Sequence, residues 1–129
     1  LRKQFSPEAE GKLFVKRAIE NCLELYQKHD WESVSEKVSG LNQFIKKNRV
    51  FARKFISGAT QLELDSVGRI NLPKNLLDYA GVKKDLVLFA YGNKIEIWDK
   101  SAYDAELDMS DNDFAGLAEE VMGDVNLDE

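Results

Sequence analysis

The chain has 129 residues, 43% hydrophobic and 32% charged, with a formal net charge of −5. That length bounds it to one domain or two small, closely packed units, and no apolar run reaches the roughly 18 residues of a membrane helix. The one cysteine, Cys22, excludes an internal disulfide and fits a reducing, cytoplasmic setting; no secretory leader is expected ahead of the first strand.

Residues 1–5 read as the end of a short helix and residues 6–11 as a loop. Leu13, Phe14 and Val15 mark a strand over residues 12–19, and after the turn at Asn21 the alternation of residues 22–26 marks a second. Asp30 is read as the N-cap of a helix carrying Trp31, Val34, Val38 and Leu41 on one face. Residues 42–47 either continue or break it. Asn48 is a further candidate cap, for a second helix in which Val50, Phe51, Phe55 and Ile56 alternate with Arg49, Arg53 and Lys54. Phe51 and Phe55 are expected to bury against the sheet.

Ser57 and Gly58 end that helix, and residues 60–64 read as a strand. Asp65-Ser-Val-Gly68 forms a tight turn, after which residues 69–72 are extended. Pro73 opens a short helix, where its missing N–H costs little, and Gly81 closes it. Residues 86–89 and 94–98 form a hairpin across Tyr91-Gly92-Asn93. Ser101 is a candidate cap for a helix starting at Tyr103, and residues 111–122 give a weak further helix with Phe114, Leu117 and Val121 on one side.

This order repeats. Residues 21–32 align with residues 93–104 at an offset of 72, pairing Leu23 with Ile95, Glu24 with Glu96, Leu25 with Ile97, Tyr26 with Trp98 and Trp31 with Tyr103. Repeats fix architecture before anything else. The reading is an α+β chain, mainly β with short helices, built from two copies of one small unit. The first spans residues 1–58 and ends in the basic helix, the second spans 59–105, and an acidic extension covers 106–129. The element at residues 62–73 has no counterpart ahead of Leu1 in the chain given.

Charge is divided unevenly. Residues 1–58 carry a net +5 and residues 59–129 a net −10, with ten acids and no Lys or Arg from Asp104 onward. An acidic end of that kind is expected to be a solvated, partly disordered tail. The overall balance does not count against an anion-binding surface elsewhere.

The turn at residues 65–68 and the Arg69 behind it form the sharpest local signal. Gly68 supplies a conformation that other residues resist, and Asp65 pins the turn through backbone amides. The planar fork of Arg69 fits a carboxylate, a phosphate or a guanine edge; an internal salt bridge to Glu63 or Asp65 is the competing role. The second signal is the basic set Lys46, Lys47, Arg49, Arg53 and Lys54, either a phosphate-facing surface or an ordinary solvated helix face. Lys16 and Arg17 could extend it, whereas Lys83 and Lys84 read as plain surface. The recurring aromatics read as packing rather than a base-stacking platform. Glu24 and Glu96 could accept from arginines or point outward, and His29, aligned with Ser101, is a surface residue. No His, Cys and Asp set has metal-ligand spacing, so neither metal, cofactor nor enzyme activity is expected.

The segment from Leu64 through Pro73, with its Asp-x-x-Gly-Arg core, resembles the signature of the MraZ family. The likeness continues through Val87, Glu96, Ile97, Trp98, the basic segment before Phe55, and the stretch Cys22–Tyr26 with Trp31. It extends to about residue 105. It implies tandem AbrB-like units of swapped-hairpin β-barrel type. It also implies a bacterial, nucleoid-associated transcriptional regulator that binds double-stranded DNA at short direct repeats in the promoter of the division and cell-wall gene cluster, and that assembles into homo-oligomeric rings away from any membrane. By the same likeness Arg69 is the DNA-contacting arginine, supported by Asp65 and Gly68. The matching first-copy turn would precede Leu1.

Overall fold

The computed structural model describes residues 11–67 and 69–123. The short helix expected at residues 1–5, most of the loop after it, and Gly68 lie outside the described residues. Among the described residues, five strands and five helices follow in the order β1 (Lys12–Arg17), β2 (Leu23–Gln27), α1 (Lys28–Ser39), α2 (Lys46–Ser57), β3 (Thr60–Glu63), α3 (Lys74–Ala80), β4 (Leu86–Tyr91), β5 (Lys94–Asp99), α4 (Lys100–Glu106) and α5 (Asp111–Met122). The strands form one antiparallel sheet in the order β3-β1-β2-β5-β4. This is the expected α+β composition.

The repeat explains the middle of the sheet. β2 and β5 pair with Glu24 directly opposite Glu96, flanked by Leu23 opposite Ile97 and Leu25 opposite Ile95. Residues equivalent in the two copies therefore meet symmetrically about a pseudo-twofold axis through the two glutamates. The local contacts repeat as well. Tyr26 Oη donates to Glu24 and Trp98 Nε1 donates to Glu96, each at 3.1 Å. The Trp31 ring lies 5.5 Å from Tyr26, and Tyr103 lies 6.0 Å from Trp98. Each copy thus locks an aromatic ring onto the carboxylate two residues earlier on the same strand face.

Strand alternation divides the chemistry between two faces. One carries Leu13, Val15, Leu23, Leu25 and Ile97, which pack with Leu64, Leu76 and Ala80 as the main core. Each fully buried aliphatic side chain there contributes about 1.5–3 kcal/mol. Gly81 ends α3 with φ +68°, a conformation that disfavours side chains, while the Val82 N–H donates to the Leu77 carbonyl. Tyr79 ties α3 to the first hairpin by donating to the Ala18 carbonyl at 3.0 Å. The other face carries Phe14, Lys16, Glu24, Tyr26, Glu96 and Trp98 beneath α1, α2 and α4.

The helix starts differ from the sequence expectation. α1 begins at Lys28, so Asp30 lies inside its first turn, where a carboxylate favours the positive end of the helix dipole without capping it. α2 begins at Lys46, ahead of Asn48, whose side chain instead donates to the Asn42 carbonyl. The cap of α4 is Asp99, which accepts from the Ala102 N–H, and not Ser101. Residues 69–73 form no strand of the sheet. The acidic end is helical over Asp111–Met122, with Ser110 accepting from the Asp113 N–H.

Candidate nucleic-acid interface

Asp65 organises its turn with both carboxylate oxygens. Oδ1 accepts from the backbone amides of Val67 (3.0 Å) and Arg69 (2.8 Å), while the Asp65 N–H donates to the Arg69 carbonyl at 2.8 Å. Oδ2 accepts from Arg69 Nε at 3.2 Å. Of the two roles the sequence allows Arg69, the internal ion pair is present, with Asp65, and it leaves most of the side chain exposed. The pair engages only Nε, and the Arg69 side chain remains 79% exposed. Among the described residues no other hydrogen bond or ion pair reaches the guanidinium. Its terminal amino edge, the edge that grips phosphate oxygens or guanine O6 and N7, is therefore presented to solvent. A pair this exposed contributes little to stability.

Beside the turn lies a groove of about 610 Å³, lined by Asp65, Arg69, Ile70, Leu72, Leu86 and Leu88 above Leu25 and Ile97. All the strand residues in it belong to the apolar face of the sheet.

The basic helix lies elsewhere. The Phe55 ring of α2 stacks on Trp31 at 5.7 Å, and Lys16 Nζ sits 4.2 Å above Phe55. These contacts place α2 on the face opposite the Arg69 groove. Arg69 and the basic set of α2 are thus separated by the sheet in a single chain. Lys46, Lys47, Arg53 and Lys54 are exposed. Arg49 is partly covered and donates to the Gln43 carbonyl at 2.6 Å. Phe55 is covered as expected, but Phe51 remains exposed, a departure from the expected burial.

Lys16 does not extend the basic surface. It is only 7% exposed and lies 3.7 Å from Glu24 Oε1, whose Oε2 is bonded by Lys94 at 2.5 Å. Glu24 thus bridges lysines from β1 and β5, and it meets lysines where arginines had been considered. Burial holds the Lys16 ammonium below its ordinary pKa despite Glu24. For Lys94, burial works in the same direction, but the hydrogen bond and charge of Glu24 outweigh it and raise the pKa. Burial, followed by the charge of Glu96, pushes the Cys22 thiol up to about 12, the mark of an inert core thiol. Arg17 remains exposed and stacks over the Tyr79 ring at 4.9 Å. This bridging network went unread in the sequence, although a glutamate in the middle of each apolar strand was its signal.

Among the described residues no group of His, Cys, Asp and Glu could hold a metal ion, and no helix is long and apolar enough to cross a membrane. What the fold presents is a duplicated β unit with an exposed arginine behind a turn and a separate basic helix.

The family described as "MraZ protein, putative antitoxin-like" matches the chain twice, over residues 1–54 and 55–124. A Christiangramia forsetii protein named "Transcriptional regulator MraZ" is 44% identical over 129 residues, covering 99% of this chain and 83% of the relative. The protein of that name from Flavobacterium psychrophilum is 45% identical over 130 residues, covering 100% of this chain and 83% of the relative. The one from Cytophaga hutchinsonii is 38% identical over 112 residues, covering 87% of this chain and 74% of the relative. The chain belongs to the MraZ family, and its role is transcriptional regulation rather than catalysis.

Proposed function

We propose that this chain regulates transcription by binding double-stranded DNA through the turn at residues 65–69. The observation that carries the reading is the guanidinium of Arg69, held at Nε by Asp65 while its terminal edge faces solvent. Asp65 holds the turn, Gly68 belongs to the same contact, and Arg69 reads a guanine edge, worth about 1–3 kcal/mol of discrimination when bidentate. Lys46, Lys47, Arg49, Arg53 and Lys54 hold phosphates. Because α2 lies on the other sheet face, those contacts belong to DNA approached by several copies together, and not to the strip beneath one Arg69. The target is a set of short promoter repeats ahead of the division and cell-wall genes. A homo-oligomeric ring, nucleoid-associated in the cytoplasm, presents several turns at once, so that weak contacts add through effective concentration. Residues 1–58 and 59–105 act as the two units, with 106–129 as an extension. No cofactor takes part.

Fluorescence anisotropy with a repeat-bearing promoter duplex at two salt concentrations tests this. Arg69→Ala is expected to weaken binding about tenfold or more, within the range for one lost bidentate contact, while leaving urea stability within about 0.5 kcal/mol. Unchanged affinity in a folded variant would return the turn to a purely structural role.

A further inference from the structure

α5 is an amphipathic helix without a seat. Phe114, Leu117 and Val121 form a stripe at helical spacing, and all are exposed, Phe114 by 62%. Every residue of the helix is exposed, so its own chain gives it no buried face. A 12-residue helix standing alone in water is marginal, so packing onto something must hold it. Asp113 and Glu120 flank the stripe, Asp111 lies on its other side, and none of these acids is ion-paired among the described residues.

α2 is the complementary surface. Val50 and Phe51 are exposed, bracketed by Lys46, Lys47, Arg53 and Lys54. Just ahead of the helix, Phe44 is 96% exposed and Ile45 is exposed as well. No carboxylate pairs with these four cations among the described residues. The first turn of α2 contains no acid, and Lys46 and Lys47 stand at the positive end of the helix dipole, where cations are unfavourable by about 0.3–1 kcal/mol each. Charge placed against the dipole and left unpaired beside bare aromatics calls for an anionic, apolar partner.

We infer that α5 of one copy docks on α2 of a second copy, with Phe114, Leu117 and Val121 covering Val50, Phe51 and Phe44, and with Asp113 and Glu120 meeting the lysines. This is helix-in-groove recognition with matching charge. A second copy is the occupant because α5 touches no face of its own chain that would bury it, and each copy carries both halves of the contact, so the pairing propagates from subunit to subunit. The same cations are those assigned above to phosphates, so docked α5 competes with DNA there. That consequence rests on the DNA reading; the docking does not.

The test uses full-length chains without DNA, each bearing one introduced cysteine and tags of different size; Cys22 is buried and stays silent. Leu117→Cys is mixed with Val50→Cys under mild oxidation. The expected result is a disulfide between unlike chains, at about fivefold or more the yield of Leu117→Cys with Lys84→Cys, an exposed loop site outside the contact. Lys47→Glu with Lys54→Glu in the Val50→Cys chain should lower the yield, and Asp113→Lys with Glu120→Lys in the Leu117→Cys chain should restore it. Circular dichroism confirms that each variant folds. Equal yields with the control site would overturn the inference, as would charge reversals without effect. A chain carrying both Leu117→Cys and Val50→Cys, oxidised at high dilution, should form no internal disulfide; an internal bond would also overturn the inference, by assigning α5 to its own chain.

Discussion

In the first half of the molecule Trp31 is 8% exposed, roofed by Phe55 of α2 and flanked by Phe14 and Tyr26. In the second half its counterpart Tyr103 is only half-buried, with Trp98 and Phe89 as neighbours, and the β4 residues Leu86, Leu88 and Phe89 remain open. The two copies share the strand pairing and the aromatic-to-glutamate bond but not the cover. Duplication transmits the local motif, because it depends on residues a few positions apart. Burial depends on what the rest of the chain lays over it, and only the first copy has the α1–α2 roof.

The two glutamates break this comparison most sharply. Glu24 is the shared counter-charge of a buried Lys16 and a largely buried Lys94; Glu96 accepts from Trp98 and is half-buried. Glu24→Ala is expected to cost about 3–5 kcal/mol, since it leaves buried ammonium groups unpaired. Glu96→Ala is expected to cost about 1 kcal/mol, the loss of one hydrogen bond. Paired urea titrations read both, and equal losses would mean that the repeat axis, not the lysine bridge, sets the energetics.

A smaller effect separates another equivalent pair, Cys22 and Lys94. The thiol of Cys22 rises from an ordinary 9.0 to about 12 on folding because it is buried. A raised folded pKa gives stability that is complete below 9.0 and is lost as pH rises from 9.0 through about 12. Lys94, raised from 10.5, behaves likewise but only from its own higher range upward. Lys16, lowered from 10.5, has the opposite sign and gains as its charge is removed. Burial also raises Tyr26, from 10.0, so the thiol leads the decline only between pH 9.0 and 10.0, at up to about 1.4 kcal/mol per pH unit. Thermal unfolding followed from pH 8 upward should show a shallower alkaline decline in Cys22→Ala than in the parent chain, to about the extent of that thiol contribution. Parallel declines would remove Cys22 from the account.

The sequence made the repeat legible because alternation and paired aromatics are local signals. It made the turn at residues 65–69 legible because Asp65 acts on amides two and four residues further on. It did not reveal that Lys16 is buried, since that follows from β2 lying between β1 and β5, a pairing across some 70 residues in sequence. Nor did it reveal that Arg69 and α2 lie on opposite sheet faces. Charge density along a chain does not say which face of a sheet a helix covers. Asp99 was overlooked as a cap because it also closes β5, and one residue serving two elements gives no separate signal.

In the proposed function Arg69 acts through the shape of its fork and not through charge alone. Arg69→Lys keeps the charge and loses the planar pair of donors. Anisotropy titrations with a repeat-bearing duplex and a scrambled one should show discrimination between the two falling about tenfold or more in this variant, with the salt dependence nearly unchanged. Discrimination equal to that of the parent chain would contradict the account.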